Sequence, residues 1–129
     1  MMGKVCCRVY KAKNKALIAY RVEAAVSFIS RLRGLLGRKN MPAGCGLLLR
    51  PCSSVHCFGM RFPIDVIFLD RHNRVINIRE KMNPGSWASE SQACCVLELR
   101  AGEVRKHKID VGDQLLLSFT SFASSSEHG

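Results

Sequence analysis

The sequence predicts a mostly β fold of the α+β kind. The expected form is a compact antiparallel β-sandwich or barrel-like domain with one main amphipathic helix over about 27–37 and a short second helix over about 101–107. Three features carry this expectation. Seven or eight short apolar runs follow one another, separated by Gly, Pro, Asn and Asp, which is strand-and-turn patterning. One stretch alone changes clearly from a period of two to a helical period. The 129 residues, 47% of them apolar, suffice for a single domain with a real core. That domain is expected over 1–120, with a disordered tail over 121–129.

The elements follow in order. "KVCCRVY" and "ALIAYRVEAA" read as strands joined by "KAKNK" as a hairpin loop. In "SFISRLRGLLGRK", Phe28, Ile29, Leu32, Leu35 and Leu36 fall on one helical stripe, with Ser27 placed as N-cap and Gly37 as the left-handed stop. "LLLR" is a short buried strand. "SVHCFGM" is the next, and Pro63 puts a bend near 61–63. "IDVIFLD" and "RVINIRE" flank "DRHN" as a hairpin turn. "KMNPGSWASESQ" reads as a long polar loop holding the only tryptophan, Trp87. "CCVLEL" is a strand, "AGEVRKHKID" one or two helical turns, and "QLLLSF" the last strand.

Composition narrows the function classes. No apolar run approaches the ~18 residues of a membrane span, and "MMGKVCCRVYKAKNK" lacks the apolar core of a signal peptide. A cytoplasmic protein is therefore expected, with its seven cysteines reduced. The net charge is +10, and it is unevenly spread. Residues 1–50 hold eleven Lys and Arg against the single acid Glu23, whereas residues 51–129 are balanced at nine and nine. Arg31, Arg33, Arg38 and Lys39 project from the helix's polar side as a basic surface for nucleic acid or an acidic protein. The plain alternative is a solvated basic face. No zinc finger, phosphate loop, dinucleotide fingerprint or nucleophile elbow accompanies it.

These segments, in this order, resemble the bacterial and archaeal DUF192 family, a domain of unknown function. The matching pieces are "RLRGLLGRKNMPAGCGLLL", "HCFGMRFPIDVIFLD", "RVINI", "VLEL-AG" and "I-VGDQL", from about Arg31 to Leu117. The resemblance implies a β-rich single domain with one main helix, and it implies no reaction. Many family members look exported, whereas this chain shows no export signal. The family often has tryptophan just before the methionine of the central motif. Here that position is Gly59, so a pocket built on that ring is lost or opened wider.

The central "VHCFGMRFPIDVIFLD" carries the candidate site. On a strand His56, Phe58 and Met60 share one face, and Cys57, Gly59 and Arg61 the other. A Cys57–His56 nucleophile pair is disfavoured by that divergence. Cys45, Cys52, His56 and Cys57 have zinc-type chemistry but poor spacing, so neither a metal nor a cofactor is expected. In "IDVIFLD" both faces look apolar, so Asp65 needs a partner, with Arg61 and His56 as candidates. Asp65 then reads either as a structural ion pair or backbone cap, or as part of a pocket. The expected ligand-binding set is His56, Phe58, Met60, Arg61, Asp65 and Trp87, with apolar walls, a polar floor and Arg61 facing an anion. The leading expectation is a non-enzymatic binding or accessory domain for a small anionic ligand or a peptide. The alternatives are the basic adaptor and an enzyme using His56 and Asp65 as an acid–base pair.

Overall fold

Among the described residues, alternating apolar positions become ladder pairs in nine strands. The computed structural model describes residues 5–25, 40–57 and 61–121. Its strands are β1 (Val5–Lys11), β2 (Leu17–Ala25), β3 (Cys45–Leu49), β4 (Ser54–His56), β5 (Ile64–Leu69), β6 (Val75–Met82), β7 (Trp87–Ser89), β8 (Cys95–Arg100) and β9 (Leu115–Ser121). One short helix, α1 (Glu103–Lys106), precedes β9. Seven strands form one sheet in the order β6-β5-β8-β3-β2-β1-β9, and β4 and β7 form a separate ribbon. The fold is thus mostly β, as the patterning predicts.

The sandwich is not what forms. A single open sheet curls instead, and its two edges meet at one corner. There Arg74 bridges Gln114, the Val75 N–H donates to the Asp113 carbonyl, and the Leu115 N–H donates to the Asn73 carbonyl. The lacing stops at that corner, so the sheet is not closed into a barrel. It is also mixed: β2 runs parallel to β3, while every other neighbour pair is antiparallel. A parallel pair needs a crossover of a dozen or more residues, and residues 26–44 supply one. The helix expected over 27–37 lies outside the described residues, as does the tail beyond Ser121. Ser121 itself belongs to β9 and pairs with Val5. The second helix is present but shorter than 101–107, with turns at both ends.

The central strands are buried on both faces. All six residues of β5 are buried. Ile67, Leu69, Leu97 and Leu99 point into a core shared with Val9, Val22 and Leu115 inside the curl. Ile64, Val66, Phe68 and Val96 point the other way, into a second core with Leu47, Phe62 and Met82. The β4–β7 ribbon covers that second core with Val55, Cys57 and Ala88. Gly46 lets β3 approach β8 closely, because a Cβ there would sit 2.6 Å from the Glu98 carbonyl oxygen.

The hairpin turns follow their sequence signals. Asn14 Oδ1 accepts the Ala16 N–H between β1 and β2. Asp70 Oδ1 accepts the N–H groups of His72 and Arg74 between β5 and β6. The segment expected as one long polar loop differs. β6 runs on to Met82, and Trp87–Ser89 is a strand that pairs with β4. Three residues between Gly-Ser and Glu-Ser are too few to show a period, so only the pairing with β4 reveals the strand.

Candidate functional site

The β4–β7 ribbon sorts its residues by alternation. Val55 pairs with Ala88 and both face the second core. His56 pairs with Trp87 on the opposite side, and both are exposed. Their rings stack, with centroids 6.0 Å apart and planes 17° from parallel. Trp87 remains 63% exposed, so burial does not explain its presence. The ribbon continues beyond the paired residues: the Cys57 N–H donates to the Ser86 carbonyl, and the Gly85 N–H donates to the Cys57 carbonyl.

Cys57 is fully buried in the second core, on the side away from the His56 ring. The divergence expected of strand neighbours is therefore present. Two other thiols are held inert by their surroundings. Burial pushes Cys7 and Cys95 up to about 11, against the opposing pull of the Arg50 guanidinium. Among the described residues, no three His, Cys, Asp or Glu side chains converge as metal ligands.

Asp65 sits elsewhere. It is fully buried and points into the interior of the curl, the side of Ile67 and Leu69. Oδ1 accepts the Lys81 N–H at 2.8 Å; Oδ2 accepts the N–H groups of Gly102 at 3.0 Å and Val104 at 2.9 Å. The carboxylate therefore caps backbone, and its partners are neither Arg61 nor His56. The sheet lies between Asp65 and the ribbon that carries His56, so the two do not form an acid–base pair or one pocket floor. Arg61 is exposed at the bend before Pro63. Phe58 and Met60 lie outside the described residues, as do Arg31, Arg33, Arg38 and Lys39.

Three buried charged residues, Glu98, Lys11 and Glu103, escaped the reading of the sequence. Glu98 is fully buried on β8, flanked by Val66 of β5 and Leu47 of β3 on the face beneath the ribbon. Its signal was available: an acid inside "CVLEL" has the same standing as Asp65 inside "IDVIFL". Lys11 is buried on β1 and donates to the carbonyls of His107 at 3.0 Å and Lys108 at 2.8 Å. No local pattern announces that contact, because 96 residues separate the partners.

Comparisons with known proteins agree with this fold. The model of the DUF192 family, described as "Uncharacterized ACR", matches residues 9–117. The chain is 31% identical over 104 residues to the UPF0127 protein TK1120 of Thermococcus kodakarensis, covering 78% of this chain and 65% of that protein. It is 32% identical over 96 residues to a UPF0127 protein of Thermococcus gammatolerans, covering 71% and 63%. The chain thus spans slightly less than two thirds of the length of these relatives. Among solved structures it is similar to a candidate transcription regulator from Sinorhizobium meliloti 1021, with a TM-score of 0.76, 25% identity and coverage of 90% and 95%. It also shares its fold with a protein of unknown function from Novosphingobium aromaticivorans, with a TM-score of 0.73, 22% identity and coverage of 88% and 84%.

Proposed function

The chain belongs to the DUF192 family, whose description assigns no activity, and on that footing we propose a non-enzymatic binding or accessory domain. Its site is the outer side of the β4–β7 ribbon. The observation that supports this reading is the exposed, stacked His56–Trp87 pair. An aromatic pair held across two strands and left facing water is a prepared contact surface: stacking fixes both rings before a partner arrives. Arg61, exposed at the following bend, supplies the positive charge for a small anionic ligand or the carboxylate of a peptide. Phe58 and Met60 complete the apolar wall in this proposal. Asp65 anchors the scaffold behind the site by capping backbone of β6 and of the start of α1. Seven cysteines, all thiols among the described residues, suit a reducing cytoplasm. None of the described helices is long and apolar enough to cross a membrane.

Native mass spectrometry of the untagged, reduced protein is the test, beside Trp87→Ala and Arg61→Ala. The expected result is a small anionic or peptide adduct on the wild-type chain that both variants lose. An adduct that both variants keep puts the ligand elsewhere and removes the proposal.

A second reading rests on the likeness to a candidate transcription regulator together with the basic excess of residues 1–50. It makes the domain a nucleic-acid adaptor acting through Arg31, Arg33, Arg38 and Lys39. Affinity for duplex DNA that falls steeply with salt supports it; salt-insensitive or absent binding excludes it.

A further inference from the structure

β2 carries one residue more than β1 over the same stretch of ladder. Cys7 pairs with Val22 and Val9 pairs with Ala19, so Tyr20 and Arg21 together oppose Arg8. The N–H groups of Tyr20 and Arg21 both donate to the Gly44 carbonyl, at 2.9 and 3.1 Å. Two residues against one is a β-bulge, which re-aims side chains that strict alternation would send to opposite faces. Here Tyr20 and Arg21 are both exposed, between the buried Ala19 and Val22. On the other flank of β1, Arg8 pairs with Ser118 and Cys6 with Thr120. Arg8, Tyr20, Arg21, Ser118 and Thr120 therefore gather on the outer face of β2, β1 and β9. With Cys6 among its lining residues, they surround an open cavity of about 280 Å³.

The tyrosine ring is held in place by a glycine. Gly44 has φ +80°, and a Cβ there would lie 2.6 Å from the Tyr20 ring. The ring thus rests against bare backbone and keeps 56% of its surface exposed. Two guanidinium groups, two hydroxyls and one pinned ring match a particular chemistry. Guanidinium forks pair with phosphoryl oxygens through parallel N–H bonds, and hydroxyls donate further bonds. A flat ligand body stacks on the ring. A guanidinium has five N–H donors, so Arg21 can hold a neighbour within the protein and a ligand at once. Glu23, opposite Cys6 in the next row, is the single acid among the first 50 residues, so the two arginines outweigh it at the cavity. The volume is near the lower limit of small-ligand sites, about 300 Å³, which suits one phosphoryl group with one ring and excludes a dinucleotide.

We propose that this bulge cavity is a binding site for a small phosphate monoester carrying a planar ring. It lies on β1, β2 and β9, none of which contributes to the β4–β7 ribbon. The test is calorimetric titration of the full chain with phenyl phosphate, inorganic phosphate and a short single-stranded oligonucleotide. Phenyl phosphate is expected to bind one saturable site, more tightly than inorganic phosphate. Arg8→Ala and Arg21→Ala each weaken it about tenfold or more, the size of one lost charge-assisted contact. Tyr20→Ala removes the advantage over inorganic phosphate, and Arg8→Lys weakens binding with charge retained. All the replaced side chains are exposed, and unchanged melting midpoints verify that each variant folds. Three results overturn the proposal: no saturable binding of phenyl phosphate, binding indifferent to both arginine variants, or an oligonucleotide that binds through Arg8 and Arg21 while phenyl phosphate does not. The last marks a nucleic-acid surface.

Discussion

At the scale of the residue, two aspartates show how placement decides a carboxylate's role. Asp65 has no access to water, and its two oxygens accept three backbone N–H bonds. Replacing it by alanine leaves those donors without their acceptor, the buried Val104 N–H among them. Asp65→Ala is therefore expected to lose about 3 kcal/mol or more, since a charged hydrogen bond is worth ~1.5–3 kcal/mol and orphaned groups add to the loss. Denaturant midpoints of the variant check this, and a loss within experimental error of zero contradicts the capping role. Asp70 sits at a turn, and the Arg74 N–H first, then that of His72, hold its carboxyl below the ordinary 3.8. A depressed folded-state value stabilises the protein above the unfolded value. That contribution disappears as pH falls through 3.8 toward the folded value. Asp70→Asn keeps an acceptor oxygen and cannot titrate, so its stability is expected to fall less steeply with acid than the wild type's. Urea midpoints measured down the acid limb decide the matter, and parallel slopes argue against it.

At the scale of the element, α1 is four residues long and too short to persist by its own hydrogen bonds. Its ends are secured from outside. Gly102 at the N-cap has no side chain to offer, and Asp65 of β5 takes the Gly102 and Val104 N–H groups instead. Lys11 of β1 takes the carbonyls of His107 and Lys108 at the far end, where a cation also suits the helix dipole. Lys11→Met keeps the apolar stem and loses the ammonium. The expected loss is about 1–3 kcal/mol, with faster amide exchange over 104–109 than over β8; equal exchange there would remove the cap. This element also marks the limit of what the sequence discloses. Turn residues and apolar alternation are local, so "KAKNK", "DRHN", the β5 run and the short helix near Glu103 were all legible. The need of Asp65 for a partner was legible too, because both faces of "IDVIFLD" are apolar. The identity of that partner was not. The Arg61 expected beside it is four residues away in the chain, whereas Val104 is 39 residues away and offers only a backbone N–H.

At the scale of the whole molecule, what stayed hidden is whatever depends on which strand meets which. The parallel β2–β3 pair, the bulge that aligns Tyr20 with Arg21, and the strand made by Trp87 all exist only through partners distant in sequence. That same arrangement grades stability across the fold. β5 is buried from end to end and β8 except at Arg100, so opening either exposes both cores at once. The β4–β7 ribbon has two strands of three residues, and its hold on the core rests chiefly on Val55, Cys57 and Ala88. Two-stranded ribbons are marginal alone, and regions with few buried contacts open below the global unfolding free energy. Hydrogen exchange followed by mass spectrometry is expected to show amides of 54–57 and 86–89 exchanging about tenfold faster or more than those of 64–69 and 95–99. A ribbon that opens alone can adjust the His56–Trp87 face to a partner while the sheet beneath stays fixed, and a bound partner should slow ribbon exchange without altering β5. Equal protection of ribbon and sheet in the unbound protein would mean that the two open as one unit. The aromatic face would then be rigid, and it would recognise its partner by fixed shape alone.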